Sequence, residues 1–174
     1  AADKLTQRRG GMHIRASVSI NKIRSFVSDV TELWPPLVPA QFTRGLVACK
    51  HMADWFASNQ IRNVACIGGN IATASPISDM NPMLLACGAR LKLTSSKGSR
   101  VVPISDFFLA YRKVDLQPTE IIETVFVPFV EEYEFVLPFK QARRREDDIS
   151  IVTSGIRIKL EPKETDAASA VATS

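Results

Sequence analysis

The sequence contains little of the material from which metal and cluster sites are built. It has three cysteines, Cys49, Cys66 and Cys87, and two histidines, His13 and His51. No CxxC pair occurs and these residues are widely spaced, so neither a zinc site nor an iron–sulfur cluster is predicted. An odd number of scattered cysteines is typical of reduced thiols in an intracellular protein.

Other absences exclude further classes of protein. No apolar run approaches the length of a membrane span, and the first 16 residues lack the apolar segment of a secretory signal. The 22 Lys and Arg residues exceed the 18 Asp and Glu residues, but they are scattered and few aromatic residues lie among them. We therefore predict no membrane and no nucleic-acid partner. The GxGxxG fingerprint of a Rossmann fold is also absent.

The composition is that of an ordinary globular chain, and its patterns favour a mixed fold. A length of 174 residues with 45% hydrophobic content indicates one domain or part of one. Helical patterns come first and strand patterns follow, with little regular alternation, which favours the α+β class. We predict helices over 20–33, 43–58 and 81–87, and strands over 64–67, 90–95, 100–104, 120–127, 133–141 and 150–160.

The two ends of the chain look less regular than its middle. Residues 1–16 are polar and contain glycine, so we expect a loose N-terminal lead-in. Residues 161–174 have few large apolar side chains, and we expect a disordered tail.

The most informative segment is 61–82. A β-branched run ends at Ile67 and meets Gly68-Gly69-Asn70; small residues and then Pro76-Ile77-Ser78-Asp79 follow. Glycines after an apolar strand let the backbone approach a ligand, and successive N–H groups in a turn form an anion-binding concavity. The segment therefore indicates a site for a phosphate-bearing cofactor. The alternative is a structural corner between a strand and a helix.

Two further motifs complete a recognisable set. Residues 107–113 read FFLAYRK, and residues 139–149 read FKQARRREDDI. Together with 61–82, in this order, they resemble the FAD-binding domain of xanthine dehydrogenases and oxidases, which are molybdenum hydroxylases. The resemblance covers roughly residues 17–160.

The resemblance implies a partial flavin domain of the non-Rossmann α+β type. Residues 17–128 would form the partial FAD-binding domain, and 129–160 would begin the C-terminal flavoprotein subdomain. The family's flavin domain begins with a glycine-containing loop that holds the FAD pyrophosphate. No match to that loop occurs in residues 1–16, so we expect reduced FAD affinity unless another chain supplies it.

The resemblance also implies cofactor-binding residues. Backbone donors of the glycine motif would face the ribityl chain or the phosphates, Asp79 would accept from the adenosine half of FAD, and Lys140 would lie near the isoalloxazine. For Asp79 the alternative is a helix N-cap, and for Lys140 an exposed strand end. The implied FAD-binding residues are Phe56, Cys66, Gly68, Gly69, Asn70, Thr73, Asp79, Ile122 and Lys140.

Three of these positions have competing interpretations. Phe56 and Ile122 also fit core packing, although the family places Phe56 beside the adenine. Cys66 stands where the family often has serine, and a thiol is the weaker hydrogen-bond partner. A backbone contact at Cys66 would survive this change.

The charged loop 143–148 completes the implied site. It would otherwise be a solvated turn with partly compensating charges. In the family this loop lies close to the flavin, so Arg144 and Asp147 are expected to tune the electrostatics around it.

The resemblance implies a role in electron transfer. The complete enzymes oxidise hypoxanthine and xanthine to urate at a molybdopterin centre, and electrons pass through two [2Fe-2S] clusters and FAD to NAD or O₂. The partners would be the iron–sulfur and molybdopterin domains of such an enzyme, a homodimer in the cytoplasm or the peroxisome. The chain itself has no cluster ligands and no catalytic acid–base arrangement, so it would serve as the flavin relay.

Three alternatives remain open at this point. The first is a truncated, non-catalytic remnant or interaction module that no longer binds FAD. The second is the flavin domain of an aldehyde oxidase, although the Arg144–Asp148 run favours the dehydrogenase branch. A separate flavoprotein subunit of the carbon monoxide dehydrogenase type is a weaker match.

Overall fold

The fold combines one five-stranded antiparallel sheet, two small two-stranded sheets and six helices among the described residues. A computed structural model describes residues 5–8 by their backbone, and residues 10–32, 38–144 and 146–161 in full. The helices are α1 (Ile20–Glu32), α2 (Ala40–Asp54), α3 (Asn59–Val64), α4 (Ile67–Thr73), α5 (Met80–Ala86) and α6 (Ile104–Phe107). The strands are β1 (Leu5–Arg8), β2 (Gly11–Arg15), β3 (Arg90–Ser95), β4 (Gly98–Pro103), β5 (Phe108–Ala110), β6 (Lys113–Val114), β7 (Ile121–Pro128), β8 (Glu134–Ala142) and β9 (Ser150–Lys159).

The main sheet has the order β1-β2-β7-β3-β4, while β5 pairs with β6 and β8 pairs with β9. Every one of these pairs is antiparallel. The mixed α+β class predicted from the sequence is confirmed. None of the described helices combines the length and the apolar character needed to cross a membrane.

The two long helices form where apolar residues recur at helical spacing. Helix α1 buries Ile20, Ile23, Val27 and Val30 on one face, and the Ser19 hydroxyl accepts from the Lys22 N–H at 3.4 Å, as an N-cap does. Its predicted last residue, 33, lies outside the described residues. Helix α2 begins at residue 40 and ends at 54, earlier than the predicted 43–58.

The N-terminal segment was wrongly predicted to be loose. Strand β2 lies inside the main sheet, with β1 on one side and β7 on the other. Buried and outward-facing side chains alternate along this strand, but the strand is short and polar residues flank it, which hides the pattern in the sequence. Met12 and Ile14 are buried while His13 and Arg15 point to the other face, which is the period of a half-buried strand. The predicted tail lies outside the described residues, except for Glu161.

The segment 61–67 was wrongly predicted to end in a strand. It contains the end of α3, a short connection and the start of α4. Each helix has its own N-cap: the Ser58 hydroxyl accepts from the Ile61 N–H, and the Cys66 thiol accepts from the Gly69 N–H. These local caps outweigh the β-propensity of the branched residues.

The hairpin of β8 and β9 packs one face on the helices and turns the other outward. Strand β8 contacts α2, and β9 contacts α5. Gly155 permits this closeness, because a Cβ there would lie 2.7 Å from the Pro82 carbonyl oxygen. On the outer face Leu137 lies opposite Ile156, and both side chains are exposed.

An ion cluster at Arg100 joins β4 to the turn before β7. The Arg100 guanidinium donates to both Glu120 carboxylate oxygens at 2.8 Å and to Asp115 Oδ2 at 2.6 Å. The hydrogen bonds from Arg100, followed by that from the Gln117 N–H, lower the pKa of Glu120 from 4.5 to about 2. The cluster therefore favours the ionised carboxylate in the folded chain.

We expect Glu120 to titrate far below a free glutamate. Because its folded pKa is lowered, its contribution to stability is present above about pH 4.5 and is lost as the pH falls toward about 2. Carbon-13 NMR of the Glu120 carboxyl should give a midpoint near pH 2. Arg100→Gln should move the midpoint up toward 4.5, whereas a midpoint that ignores this change would contradict the assignment.

Candidate functional site

Asp79 is the point at which three elements of the fold meet. It immediately precedes α5, and its Oδ2 accepts from Lys140 Nζ of β8 at 2.8 Å. Its Oδ1 accepts from the hydroxyl of Ser150, and the Thr153 hydroxyl lies 3.4 Å from the same oxygen; both belong to β9. The carboxylate of Asp79 therefore ties the hairpin to the helix.

Asp79 is not the residue that caps α5. Its side chain makes no capping hydrogen bond, whereas the Ser78 hydroxyl accepts from the Asn81 N–H at 3.2 Å. The side-chain cap of α5 is therefore Ser78, one residue before the predicted position. The carboxylate of Asp79 is thereby left for Lys140 and the two hydroxyls.

Lys140 is buried with its charge compensated. The side chains of Lys140 and Asp79 are 8% and 10% exposed, and Lys140 Nζ also donates to the Trp55 carbonyl oxygen at 2.9 Å. Trp55 is the C-cap of α2, a position that favours cations. An ammonium has three N–H donors. Within the described part of the chain two of them are engaged, which leaves one for a ligand.

A cavity of about 530 Å³ lies beside this pair. Its walls are the end of α2, with His51 and Trp55, and residues 138–144 of β8 and the following loop. Lys140, Arg143 and Arg144 all contribute to its lining. The volume is within the range of small-molecule sites, and the basic side chains suit an anionic ligand with an aromatic ring.

The glycine motif is not the open turn that the sequence predicts. Gly68, Gly69 and Asn70 form the first turn of α4. Their N–H groups donate to Ala16 O, Cys66 Sγ and Cys66 O, at 2.9, 3.4 and 3.1 Å. These donors already have partners within the protein, so the structure does not form the predicted open turn of N–H groups, and contact of the motif with a flavin stays a prediction. Any contact here would come from the close approach that glycine permits.

The polar side chains next to this helix form a short chain of hydrogen bonds. The Ser78 hydroxyl donates to Asn70 Oδ1 at 3.0 Å. Asn81, two residues after Asp79, is buried, and its Oδ1 has no partner among the described residues. A buried acceptor without a donor is costly unless a ligand or water supplies one.

Four other predicted residues already have contacts within the protein. Phe56 is half-buried against it, and Ile122 is part of it in β7. Cys66 is the N-cap of α4, and the Thr73 hydroxyl donates back to Gly69 O at 2.7 Å. Phe56, Ile122 and Cys66 therefore have a packing or capping role, while Thr73 is exposed and bonds within its own helix. It does not bring Ile122 into the group around Asp79.

The charged loop folds back on itself. The backbone N–H of Arg144 donates to Asp148 Oδ2, and its guanidinium donates to the Asp147 carbonyl oxygen, both at 2.8 Å. The first of these bonds is the main cause of the lowered pKa of Asp148. The Arg144 side chain is 70% exposed and lines the cavity. Asp147 contributes its carbonyl and a left-handed turn, with φ 49°.

Sequence reasoning missed several residues that build the site. Ser150, Thr153 and the Trp55 carbonyl hold the ion pair. Arg62 Nη1 donates to the carbonyls of Phe56 and Ala57 at 2.9 and 2.6 Å, which fixes the loop that holds Phe56. The sequence shows the hydroxyl side chains of Ser150 and Thr153 on a predicted strand, but it does not indicate which residue they would bind.

Comparison with known proteins decides the family. Residues 2–130 match the model of the FAD binding domain in molybdopterin dehydrogenase. The chain belongs to this family of FAD-binding domains. The match includes residues 2–16 of the predicted lead-in, in agreement with the place of β2 in the main sheet.

Curated relatives of this FAD-binding domain confirm the resemblance seen in the sequence. The chain is 44% identical over 167 residues to a xanthine dehydrogenase of Dictyostelium discoideum, covering 92% of the chain and 12% of that protein. It is 48% identical over 141 residues to xanthine dehydrogenase 1 of Arabidopsis thaliana, covering 79% and 10%. The chain thus spans only about a tenth of the length of these relatives.

Solved structures show the same fold at low identity. A carbon monoxide dehydrogenase of Hydrogenophaga pseudoflava that lacks the Mo-pyranopterin moiety of its cofactor aligns with a TM-score of 0.77 and 22% identity, covering 92% of this chain and 51% of that one. A quinoline 2-oxidoreductase of Pseudomonas putida 86 aligns with a TM-score of 0.72 and 20% identity, covering 91% and 50%.

The residues present fit a flavin nucleotide. Lys140 retains a donor for a ligand, the adjoining cavity is lined by basic and aromatic side chains, and buried Asn81 Oδ1 lacks a donor among the residues described. Gly69 is exposed and has no side chain to obstruct a ligand.

Proposed function

We propose that this chain is the flavin-binding part of a xanthine dehydrogenase-like enzyme. In that enzyme electrons from hypoxanthine or xanthine would pass from a molybdopterin centre through two [2Fe-2S] clusters to FAD, and then to NAD or O₂. The membership of the FAD-binding family supports the proposal, as does identity above 40% to the two xanthine dehydrogenases. The buried Lys140–Asp79 pair beside a cavity is the observation that carries it.

We further propose that residues 17–128 are part of the FAD-binding domain and that 129–160 begin a second subdomain. The outward apolar face of the β8–β9 hairpin, with Leu137 and Ile156, supports this division. A two-stranded hairpin is rarely stable alone, and exposed apolar surface of this kind marks a place where more polypeptide packs. The cytoplasm or the peroxisome would provide the reducing conditions that suit the three free thiols.

FAD supplies the redox chemistry by accepting electrons and passing them on to the acceptor. This chain's residues orient it and set the charge around it. Lys140 would donate a hydrogen bond to the flavin with its remaining N–H, while Asp79 holds that ammonium in place through an ion pair. Asp79 Oδ2 still has a lone pair for a hydroxyl of the ligand. Arg144 would add positive charge at the rim of the cavity.

A flavin titration tests the proposal. Purified protein should bind FAD saturably, with quenching of flavin fluorescence and a shift of its visible absorbance. Lys140→Met keeps the length of the side chain but removes its donors, and it should raise the FAD Kd at least about tenfold, because a hydrogen bond from a charged group is lost.

A charge-matched control separates the site from general electrostatics. Lys92→Met removes an equal charge from an exposed pair with Glu123 in the main sheet and should leave the Kd unchanged. Full affinity in Lys140→Met would refute the proposed role of Lys140. Absence of saturable binding by the folded, unaltered protein would favour a remnant that no longer binds FAD.

A further inference from the structure

The strand β9 contains a one-residue bulge at the site. From Glu134 to Gln141 the residues of β8 pair one to one with those of β9, ending at Gln141 opposite Val152. The next residue, Ala142, pairs with Ser150. Ile151 is therefore the extra residue in β9. Bulges of this kind occur beside functional sites, where they redirect a side chain.

The bulge changes which side chains share a face. Residues three apart in a regular strand point to opposite faces. Here Ser150 and Thr153 both reach Asp79 Oδ1, Ser150 in a direct hydrogen bond and Thr153 at 3.4 Å. Ser150 is buried, while the bulged Ile151 is exposed. The bulge thus brings two hydroxyls to the carboxylate of Asp79, whereas a regular strand would bring only one of them.

We propose that Ser150 and Thr153 are positioning residues of the flavin site. Their hydroxyls hold Asp79 Oδ1, and this leaves Oδ2 directed at Lys140 Nζ, 2.8 Å away. The inference rests on the proposed function, because it assumes that Lys140 and Asp79 receive the flavin. Neither hydroxyl needs to touch the ligand.

The need for this support follows from the side chains involved. Lys140 has four rotatable bonds, so its ammonium is fixed only by its acceptors, the Trp55 carbonyl and Asp79. A carboxylate held by lysine alone can turn and take the ammonium with it. A carboxylate fixed at its other oxygen defines where the third N–H of Lys140 lies. A ligand then binds to a site that is already organised.

Two measurements test the assignment. The first observes the ammonium resonance of Lys140 in protein without flavin by ¹⁵N NMR. A buried, hydrogen-bonded ammonium gives a sharp signal, which Ser150→Ala should shift and broaden. The second is the FAD titration, in which Ser150→Ala should raise the Kd about tenfold and Thr153→Val about threefold, since its hydroxyl is farther away.

Rescue distinguishes positioning from general packing. Ser150→Thr keeps the hydroxyl and should restore both the ammonium signal and the Kd. Thr43→Val removes another buried hydroxyl, one that bonds to Ala40 O in α2, and should change neither. The proposal fails if Ser150→Ala leaves the ammonium signal intact, or if Ser150→Thr does not rescue it. Failure of the unaltered protein to bind FAD would instead refute the proposed function, while the ammonium signal still decides the role of Ser150.

Discussion

Asp79→Ala is expected to destabilise the folded chain by about 3–5 kcal/mol, because it leaves the ammonium of Lys140 buried without its counter-ion. The side chain of Lys140 is only 8% exposed, so its ammonium would lose its counter-ion in a largely desolvated position. The hydroxyl of Ser150 loses its acceptor in the same change. Urea denaturation with the midpoint and slope fitted together measures the loss.

A double variant separates the unpaired charge from the lost contacts. Asp79→Leu with Lys140→Met replaces the ion pair by apolar side chains of similar size and should recover most of the loss, since such replacements are often neutral. Equal destabilisation of Asp79→Ala and the double variant would show that packing, not charge, dominates. Neither variant should bind FAD with the affinity of the unaltered protein.

Gly68→Ala is expected to destabilise the chain by about 1–3 kcal/mol through overpacking. A Cβ at Gly68 would lie 2.5 Å from the Ala16 Cβ and 3.0 Å from the Ala16 carbonyl oxygen. Neither atom can move away by rotation of a side chain, so the backbone itself would have to shift. The hydrogen bond from the Gly68 N–H to Ala16 O would be strained as well. Alanine's advantage in a helix is at most about 1 kcal/mol, so the clash prevails.

Gly69→Ala is the matched control in the next residue of the same helix. Its Cβ would meet only the Cys66 Sγ at 3.1 Å, and the gain in helix propensity offsets this small adjustment. Thermal unfolding should therefore place Gly69→Ala near the unaltered protein and Gly68→Ala well below it. Equal unfolding midpoints of the two variants would contradict the inference that close packing of α4 on Ala16 requires glycine at position 68.

Elements with a strong local signal were predicted well. Strands were expected over 90–95 and 100–104, and β3 and β4 begin and end within two residues of these bounds. The β8 and β9 strands and the helix α1 agree equally well. In each case the period of apolar residues and a turn or cap residue indicated the same structure.

The glycine motif shows that a recognised string does not fix its own geometry. The residues resemble the family's motif, and the family is confirmed, yet the backbone there is helical. The strand was predicted from β-branched residues, whose preference is weak and yields to capping by Ser58 and Cys66. Because a strand was predicted there, the N–H groups of the glycine motif were also wrongly predicted to be open to a ligand.

The ion pair could not be predicted from local sequence. Asp79 and Lys140 are 61 residues apart, and each has an ordinary local explanation as a cap or a strand end. Their meeting depends on how β8 packs on α2 and β9 packs on α5. The bulge that brings Ser150 to the pair has no signal in the alternation of the strand.

The position of β7 in the main sheet has a consequence for the order of assembly during synthesis. It is the last of the five strands to leave the ribosome, and yet it lies between β2 and β3. Gly11 pairs with Pro128, and Arg15 pairs with Thr124, so more than a hundred residues must be made after β2 before it can pair with β7. Until then β2 and β3 each have one unpaired edge. Unpaired strand edges favour aggregation of nascent chains and their binding to chaperones.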